Sequence, residues 1–231
     1  MSFAVLFRRR PLAAGVCVGV SLPQAEAFRV PPAVHPDEAD LVKDSAPARR
    51  ATFIGGRMAL RIAMEDLDAG SHQSGRPILR TPRGAPAMPP GFVGSISHKR
   101  EVAVAFAARA EPTPLTTVGI DVEIPRSLRA DIAPRVLTPA ERAAIAALDP
   151  AARDAEVLLR FAAKEAIYKA LDPWVQRLVS FQEVEIVTGG DGRRRARLAL
   201  AHDDGPFDVE LHDASDDRLV LVVATVTAKK K

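Results

Sequence analysis

The most informative segment of the chain is Val118-Gly-Ile-Asp-Val-Glu-Ile124, which alternates in character until Pro125 ends it. Such alternation predicts a β-strand, whose successive side chains point to opposite faces. Asp121 and Glu123 therefore share one face, and the apolar side chains share the other. Two neighbouring carboxylates repel each other, so the pair requires either exposure to water or a cation between the two groups. A solvated strand face and a metal site both remain open at this point.

A helical segment further along the chain supplies a third carboxylate. Arg160-Phe-Ala-Ala-Lys-Glu-Ala-Ile-Tyr-Lys-Ala170 belongs to a helix predicted from Ala151 to Leu171. Glu165 lies on the side of this helix that is expected to be buried, where an isolated charge is prohibitive. It therefore requires a metal, a ligand or a cation such as Lys169 on the next turn. The alternative is a surface ion pair between Glu165 and Lys169, worth only about 0.3–0.5 kcal/mol.

Asp121, Glu123 and Glu165 together form a set of hard oxygen donors without histidine or cysteine. Magnesium prefers such ligands and completes its octahedron with waters and substrate phosphates. A phosphorylated substrate also suits the basic stretch from Arg49 to Arg100, which attracts anions, and acidic protein is the second kind of partner it suits. The cationic residues of this stretch are Arg49, Arg50, Arg57, Arg61, Arg76, Arg80, Arg83, Lys99 and Arg100.

The segment Gly94-Ser-Ile-Ser-His98 is predicted to be a strand that ends in a polar turn. His98 stands at the end of this strand, where a histidine is more often a structural hydrogen-bonding residue than a ligand contact. Neither Ser95 nor Ser97 lies in the Gly-x-Ser-x-Gly pattern of a nucleophile elbow. The segment therefore becomes informative only together with the carboxylates and the basic stretch.

The composition predicts a globular protein without a membrane span. The chain has 231 residues, of which 47% are hydrophobic and 26% charged, and a net charge of +3. This length suits one large or two small domains. Cys17 is the single cysteine, which excludes an internal disulfide and makes the cytoplasm the default location. The run from Pro11 to Leu22, preceded by three arginines, imitates a secretory signal, but its alternating valines favour a strand.

The predicted elements fall into two halves, residues 1–116 and 117–231. The first half contains a helix that Asp44 or Ser45 caps, and the second opens with a capping box at Thr138-Pro-Ala-Glu141. The remaining expectations are a helix from Thr138 to about Leu148 and strands at Val93–Ile96, Val102–Ala108, Phe181–Val187, Arg193–Leu200, Phe207–Leu211 and Leu219–Thr227.

Taken in order, these segments resemble the 4'-phosphopantetheinyl transferases, specifically the siderophore (enterobactin) and surfactin-synthetase branch. The resemblance extends from about Arg49 to Lys169 and departs modestly at Ala162, a position that often carries serine or cysteine in the family. Its motifs are Ala48-Arg-Arg-Ala-Thr-Phe-Ile-Gly-Gly-Arg57, Gly91-Phe-Val-Gly-Ser-Ile-Ser-His98, Val118-Gly-Ile-Asp-Val-Glu123 and Phe161-Ala-Ala-Lys-Glu-Ala-Ile-Tyr-Lys169. The last two motifs together are highly specific.

The resemblance implies an enzyme that transfers the 4'-phosphopantetheine arm of coenzyme A to a serine of apo acyl, peptidyl or aryl carrier proteins, leaving 3',5'-ADP. It implies magnesium as the cofactor and coenzyme A as the co-substrate. The implied fold is α/β (α+β), with two similar subdomains, each a small antiparallel sheet with packed helices, related by a pseudo-twofold axis. A monomer without nucleic-acid or membrane partners is expected.

The resemblance also assigns roles to individual residues. Asp121, Glu123 and Glu165 would be the magnesium ligands, and Asp121, Glu165 and Lys169 the catalytic residues. Glu165 would accept the proton of the carrier serine, and Lys169 would neutralise or protonate the departing phosphate. Arg49, Arg57 and His98 resemble positions that bind the 3'-phosphate. The full set implied for coenzyme A is Arg49, Arg57, Arg80, Arg83, Ser97, His98, Lys164 and Lys169.

Two other classes of function are open to the same residues. A metal-dependent phosphohydrolase or nuclease could use the three carboxylates, although two-metal nucleases usually need more. A non-catalytic carrier-binding module could dock acidic partners on the arginines of the 193–197 segment. That segment is otherwise a solvated hairpin edge that discourages strand pairing. Its arginines are Arg193, Arg194, Arg195 and Arg197.

Overall fold

The computed structural model describes residues 3–9, 15–24, 28–31, 34–67, 76–110, 115–125, 131–202 and 204–229. The chain divides into two compact units, Met1–Pro112 and Thr113–Lys231. Each unit contains an antiparallel sheet and a long helix packed on it. The predicted α+β class with two subdomains is therefore confirmed.

The first unit is built on a four-stranded sheet. Its strands are β1 (Val5–Arg9), β2 (Gly15–Ser21), β3 (Phe92–His98) and β4 (Val102–Arg109), arranged in the order β1-β2-β4-β3. A short helix, α1 (Pro36–Asp40), precedes the long helix α2 (Pro47–Leu67). One side of α2 packs on the sheet, where Leu60 and Met64 join the valines of β2 and the alanines of β4 in one apolar core.

Strand β2 is formed by the second half of the N-terminal apolar run. Val16, Val18 and Val20 are buried in the core of the first unit, and the strand pairs with β4 from Gly15 to Ser21. The prediction of a strand in this run is confirmed. Strand β1 was not predicted, because its five residues, VLFRR, show no regular alternation of apolar and polar side chains.

The second unit contains two sheets. Strands β5 (Thr116–Glu123), β8 (Phe207–Asp213) and β9 (Val220–Ala228) form one sheet in the order β5-β9-β8, and β6 (Val184–Thr188) pairs with β7 (Arg194–Leu198) in the other. Three helices, α3 (Ala133–Val136), α4 (Pro139–Ala144) and α5 (Pro150–Val175), complete the unit. Helix α5 packs against β9 and β6 through a core of alanine, isoleucine and valine side chains.

Most predicted boundaries hold, but helix α5 continues to Val175 instead of ending at Leu171. Two other predicted boundaries are wrong for identifiable reasons. Helix α4 ends at Ala144 instead of Leu148, because the backbone leaves helical geometry at Ile145 and continues as turns, in which Ala146 N donates to the carbonyl oxygen of Ala143 and Leu148 N to that of Ile145. Asp149 then caps the next helix through Ala152 N. The strand predicted from Phe181 begins at Val184, since Phe181–Glu183 form a 3₁₀ turn capped by Ser180. The capping box of Thr138 and Glu141 is confirmed.

Candidate active site

Strand β5 and helix α5 run antiparallel in direct contact, and this packing positions the acidic residues. Thr117 Oγ1, near the start of β5, donates to the carbonyl oxygen of Ala170 at 2.6 Å. Four residues further along β5, Asp121 meets the side chain of Lys169, which points back along the helix. From Lys169, helix α5 therefore runs back through Glu165 toward the Asp121–Glu123 end of the strand.

Asp121 and Glu123 are buried, each 4% exposed. The alternative of a solvated strand face is therefore wrong, and burial at this level requires a positive charge or hydrogen-bond donors nearby. Lys169 supplies one such group, because its Nζ donates to Asp121 Oδ1 at 2.6 Å and to the carbonyl oxygen of Ile120 at 2.8 Å. Two adjacent buried carboxylates of this kind suit a hard cation that binds oxygen.

Glu165 lies one helical turn before Lys169 on α5 and is half-buried. Within the described part of the chain, no three histidine, cysteine, aspartate or glutamate side chains converge into a cluster able to hold a metal ion. The structure thus brings Lys169 to Asp121, and it places Glu123 on the same face of β5 and Glu165 on the same helix as Lys169. The fit to magnesium rests on the oxygen donors of the two buried carboxylates.

Lys164 does not have the role that the family resemblance implies. Its side chain is buried, with the whole residue 1% exposed, and its ammonium donates to Glu141 Oε2 at 2.6 Å. The carbonyl oxygens of Val136 and Phe181 accept its two other hydrogen bonds, at 2.8 and 2.9 Å. Since an ammonium group has three donors, the structure contradicts the assignment of Lys164 to phosphate binding. Burial lowers the pKa of Lys164, and the hydrogen bond that Lys164 donates to Glu141 opposes this shift.

A separate cluster of three arginines and a histidine lies in the first unit. Arg49 Nη1 lies 3.4 Å from His98 Nε2, although the two residues are far apart in sequence. The guanidinium groups of Arg57 and Arg80 both lie over the ring of Phe53, at 3.7 and 4.8 Å from its centroid. We call Arg49, Arg57, Arg80 and His98 the cationic cluster.

The electrostatics of the cationic cluster favour binding of an anion. Arg57 is only 6% exposed, and burial lowers its pKa to about 10, with further lowering by Arg80, Arg49 and Arg61 and an opposing effect from Glu38. The pKa of Arg80 is lowered by burial and by Arg49. These mutual effects show that the arginines lie close enough to repel one another, so a phosphate among them would relieve the repulsion.

Two residues predicted for coenzyme A lie outside the cationic cluster. Ser97 and His98 are consecutive in β3, so their side chains point to opposite faces of the sheet. The face of His98 is the one that meets α2, where Ile96 closely approaches Gly56, and Ser97 faces away from that helix. Arg83 is exposed in the turn that ends at Gly84.

Phe53 and Glu38 were not predicted as parts of a site. The spacing of Phe53 and Arg57, four residues apart on a helix, is a signal for stacking that the sequence does contain. Glu38 carries no comparable signal, because it lies among other acidic residues of a short helix and is buried only by tertiary contacts.

The arginine-rich segment of the second unit is largely paired with acids of the same unit. Arg194 binds Glu156 at 2.7 Å, Arg195 binds Asp191, and Arg197 lies 3.5 Å from Glu185. These ion pairs reduce the charge that the segment presents to a partner, which weakens its interpretation as a docking strip.

Comparison with known proteins identifies the family. The 4'-phosphopantetheinyl transferase superfamily matches residues 117–224, and the 4'-phosphopantetheinyl transferase N-terminal domain matches residues 37–108. The 4'-phosphopantetheinyl transferase PptT of Mycobacterium tuberculosis is 34% identical over 186 residues, which cover 78% of this chain and 79% of that protein. The transferase Npt of Nocardia iowensis is 36% identical over 66% of this chain and 65% of its own length.

Among solved structures, the holo-(acyl-carrier-protein) synthase of Bacillus anthracis, in complex with CoA (3',5'-ADP), superposes with a TM-score of 0.42 and 23% identity. The match covers 48% of this chain and 96% of that chain.

The chain therefore belongs to the 4'-phosphopantetheinyl transferases, in the type that carries the additional N-terminal domain. It is an enzyme that transfers phosphopantetheine to carrier proteins, which removes the hydrolase and the non-catalytic binding module as alternatives. None of the helices described here is both long and apolar enough to cross a membrane.

Proposed function

We propose that this enzyme binds the 3'-phosphate of coenzyme A at the cationic cluster and carries out transfer at Asp121, Glu123, Glu165 and Lys169. The observation that carries the proposal is the burial of Asp121 and Glu123, with Lys169 Nζ 2.6 Å from Asp121 Oδ1. These residues belong to the two motifs that are most specific for the family.

Arg49, Arg57 and His98 suit a dianionic phosphate because Arg49 and His98 already lie within 3.4 Å of each other and Arg57 is held rigidly on Phe53. Arginine presents its donors in a planar fork that matches phosphate oxygens. Arg80 reaches the same aromatic ring from the loop that follows Ile78 and would bind the adjacent part of the nucleotide. A preorganised set of donors loses little conformational entropy when the ligand binds.

In the second unit, Asp121 and Glu123, joined by Glu165, would hold magnesium, which when bound neutralises phosphate charge and makes the phosphorus more electrophilic. Glu165 accepts the proton of the carrier serine hydroxyl, directly or through water. The serine oxygen then forms a bond to the phosphorus that carries the pantetheine arm, and the bond to the oxygen of 3',5'-ADP breaks. Lys169 stabilises or protonates that departing oxygen, while its contact with Asp121 keeps the ammonium beside the acidic pair.

For the acceptor, we propose carrier domains of siderophore, nonribosomal peptide or polyketide biosynthesis. Two observations support this class of acceptor: the four motifs that resemble the siderophore and surfactin-synthetase branch, and the match of residues 37–108 to the N-terminal domain of the family. Carrier domains of fatty acid synthesis form the comparison group for the experiment.

The test is intact-mass spectrometry of purified apo carrier domains from each class after incubation with the enzyme, coenzyme A and magnesium. Modification of a carrier appears as a gain of about 340 Da, the mass of the phosphopantetheine arm. Glu165→Gln and Asp121→Ala should each remove this gain, and Asp217→Asn, an exposed acid of the same unit, should not.

Near-normal turnover of Glu165→Gln would remove Glu165 from any essential role. Modification confined to the carriers of fatty acid synthesis would contradict the proposed class of acceptor while leaving the transfer reaction itself intact.

A further inference from the structure

Glu38 is a fully buried carboxylate in a short helix that the proposed chemistry does not use. Its residue exposure is 0%, and it lies in α1, whose other acidic residues are exposed. Glu38 Oε1 accepts hydrogen bonds from the backbone N–H of Ile78, at 2.6 Å, and from the guanidinium of Arg61. One carboxylate oxygen therefore joins α1, α2 and the loop that contains Ile78.

The same loop holds Arg57 from its other side. Arg57 Nε donates to the carbonyl oxygen of Ile78 at 3.2 Å, and Nη2 lies 3.5 Å from the carbonyl oxygen of Leu79. Ile78 is thus fixed between Glu38, which accepts from its N–H, and Arg57, which donates to its carbonyl group. Two residues further on, the loop carries Arg80, whose backbone forms a bridge with Pro86.

We propose that Glu38 is a positioning residue for coenzyme A: it holds Ile78, and through Ile78 the guanidinium of Arg57 and the loop of Arg80, in the geometry that receives the 3'-phosphate. This inference rests on the proposed role of the cationic cluster. Glu38 does not touch the phosphate, and its effect passes through the backbone of Ile78 and the side chains over Phe53.

Stability alone does not account for a carboxylate at this position. The structure shows no hydrogen-bond donor to Glu38 Oε2 among the residues it describes, although that atom is buried. A buried ion pair with an unsatisfied oxygen contributes less to stability than apolar side chains of similar volume commonly do. Departures of this kind from a well-satisfied core concentrate near functional sites.

A positioning role and a purely electrostatic role predict opposite changes in coenzyme A affinity when the negative charge of Glu38 is removed. A negative charge close to an anion site repels the ligand, so an effect of charge alone would make Glu38→Gln bind coenzyme A more tightly. Positioning predicts weaker binding, because glutamine loses the ion pair with Arg61 and is a weaker acceptor for the N–H of Ile78. Glu38→Ala removes both hydrogen bonds and should have the larger effect.

The experiment measures KM and kcat of the full-length enzyme for coenzyme A and for 3'-dephospho-coenzyme A. The enzymes compared are the wild type, Glu38→Ala, Glu38→Gln and Asp40→Asn, an exposed acid on the same short helix. We expect KM for coenzyme A to rise about tenfold in Glu38→Ala and about threefold in Glu38→Gln, with kcat and KM for the dephosphorylated substrate within about twofold of the wild type. Asp40→Asn should resemble the wild type.

The outcomes separate this inference from the proposed function on which it rests. If the wild type does not distinguish the two substrates, the proposed 3'-phosphate site is wrong. If the wild type distinguishes them and both Glu38 variants do so equally well, or if Glu38→Gln lowers KM for coenzyme A, the positioning role is wrong. A general loss of folding would impair turnover of both substrates alike. The midpoint of thermal unfolding of Glu38→Gln, compared with that of the wild type, reports folding independently.

Discussion

Gly119 of β5 lies against the backbone of Ala166 in α5: a Cβ added to the glycine would sit 1.9 Å from the carbonyl oxygen of Ala166 and 2.8 Å from the backbone nitrogen of Ala170. Only a residue without a side chain permits this approach, and the approach brings the acidic strand against the helix that carries Glu165 and Lys169. A single glycine therefore sets the spacing between the two most specific motifs of the chain.

Replacing Gly119 by alanine should displace α5 from β5, because the atoms that the new methyl group meets are backbone atoms that cannot rotate away. We expect Gly119→Ala to lower the free energy of unfolding by at least about 2 kcal/mol and to reduce transfer strongly. Gly190→Ala, where the added methyl group meets nothing within 4 Å, should stay within about 0.5 kcal/mol of the wild type. Urea unfolding of both variants measures the difference, and equal stabilities would contradict the close approach.

Lys164→Met should destabilise the enzyme by about 3–5 kcal/mol, because it leaves Glu141 buried without its ammonium partner. Lys43→Met, at an exposed lysine, should have little effect. Urea unfolding provides all of these values. In a single variant that remains folded, KM for coenzyme A should be unchanged, and a large selective increase in KM would restore Lys164 as a phosphate contact.

Lys169→Met should strengthen the binding of magnesium but reduce turnover. The substitution removes the positive charge 2.6 Å from Asp121 Oδ1, so the acidic pair becomes more attractive to a cation. We expect magnesium to bind the protein alone about three- to tenfold more tightly, as measured by isothermal titration calorimetry, while kcat falls at least about 100-fold. Lys43→Met is the control. Unchanged magnesium affinity would show that Lys169 and the metal do not compete for Asp121.

The Arg177–Glu183 pair should make the free energy of unfolding depend on pH in the acidic range. The hydrogen bond from Arg177 lowers the pKa of Glu183 to about 2 from its usual 4.5, with a contribution from the backbone N–H groups of Ala201 and Ser180. A folded-state pKa below the unfolded value means that this stabilisation is complete above pH 4.5 and is lost as the pH falls toward 2. Wild type should therefore exceed Glu183→Gln in stability at pH 6, with a difference that narrows between pH 4.5 and 2.

Urea unfolding at a series of pH values tests this window, with Asp217→Asn, at an exposed acid, as the reference. A constant difference between wild type and Glu183→Gln from pH 6 down to pH 2 would contradict the linkage.

Some features of the site were predictable because they depend on local spacing. The alternation in β5 placed Asp121 and Glu123 on one face, and the helical period placed Glu165 and Lys169 on one side of α5. The same alternation places the side chains of Ser97 and His98 on opposite faces of β3.

The roles of the two lysines of α5 could not be derived in this way. Lys164 and Lys169 belong to one motif, yet Lys164 is enclosed by Glu141, Val136 and Phe181, while Lys169 reaches Asp121. Which lysine remains near a ligand depends on the residues that α3, α4 and the 3₁₀ turn place around the helix. Those contacts join residues 17–48 positions apart.

The amino-acid sequence by itself determined the class of fold, most of the helices and strands, the acidic pair on β5 and the family, because periodicity and motif spacing are local properties of the chain. Only the tertiary structure decided that Asp121 and Glu123 are buried and that Lys164 is enclosed. It also decided that Arg57 and Arg80 lie over Phe53 and that Arg49 contacts His98. Burial and long-range contacts arise when distant segments pack together, and local spacing does not encode which side chains then become neighbours.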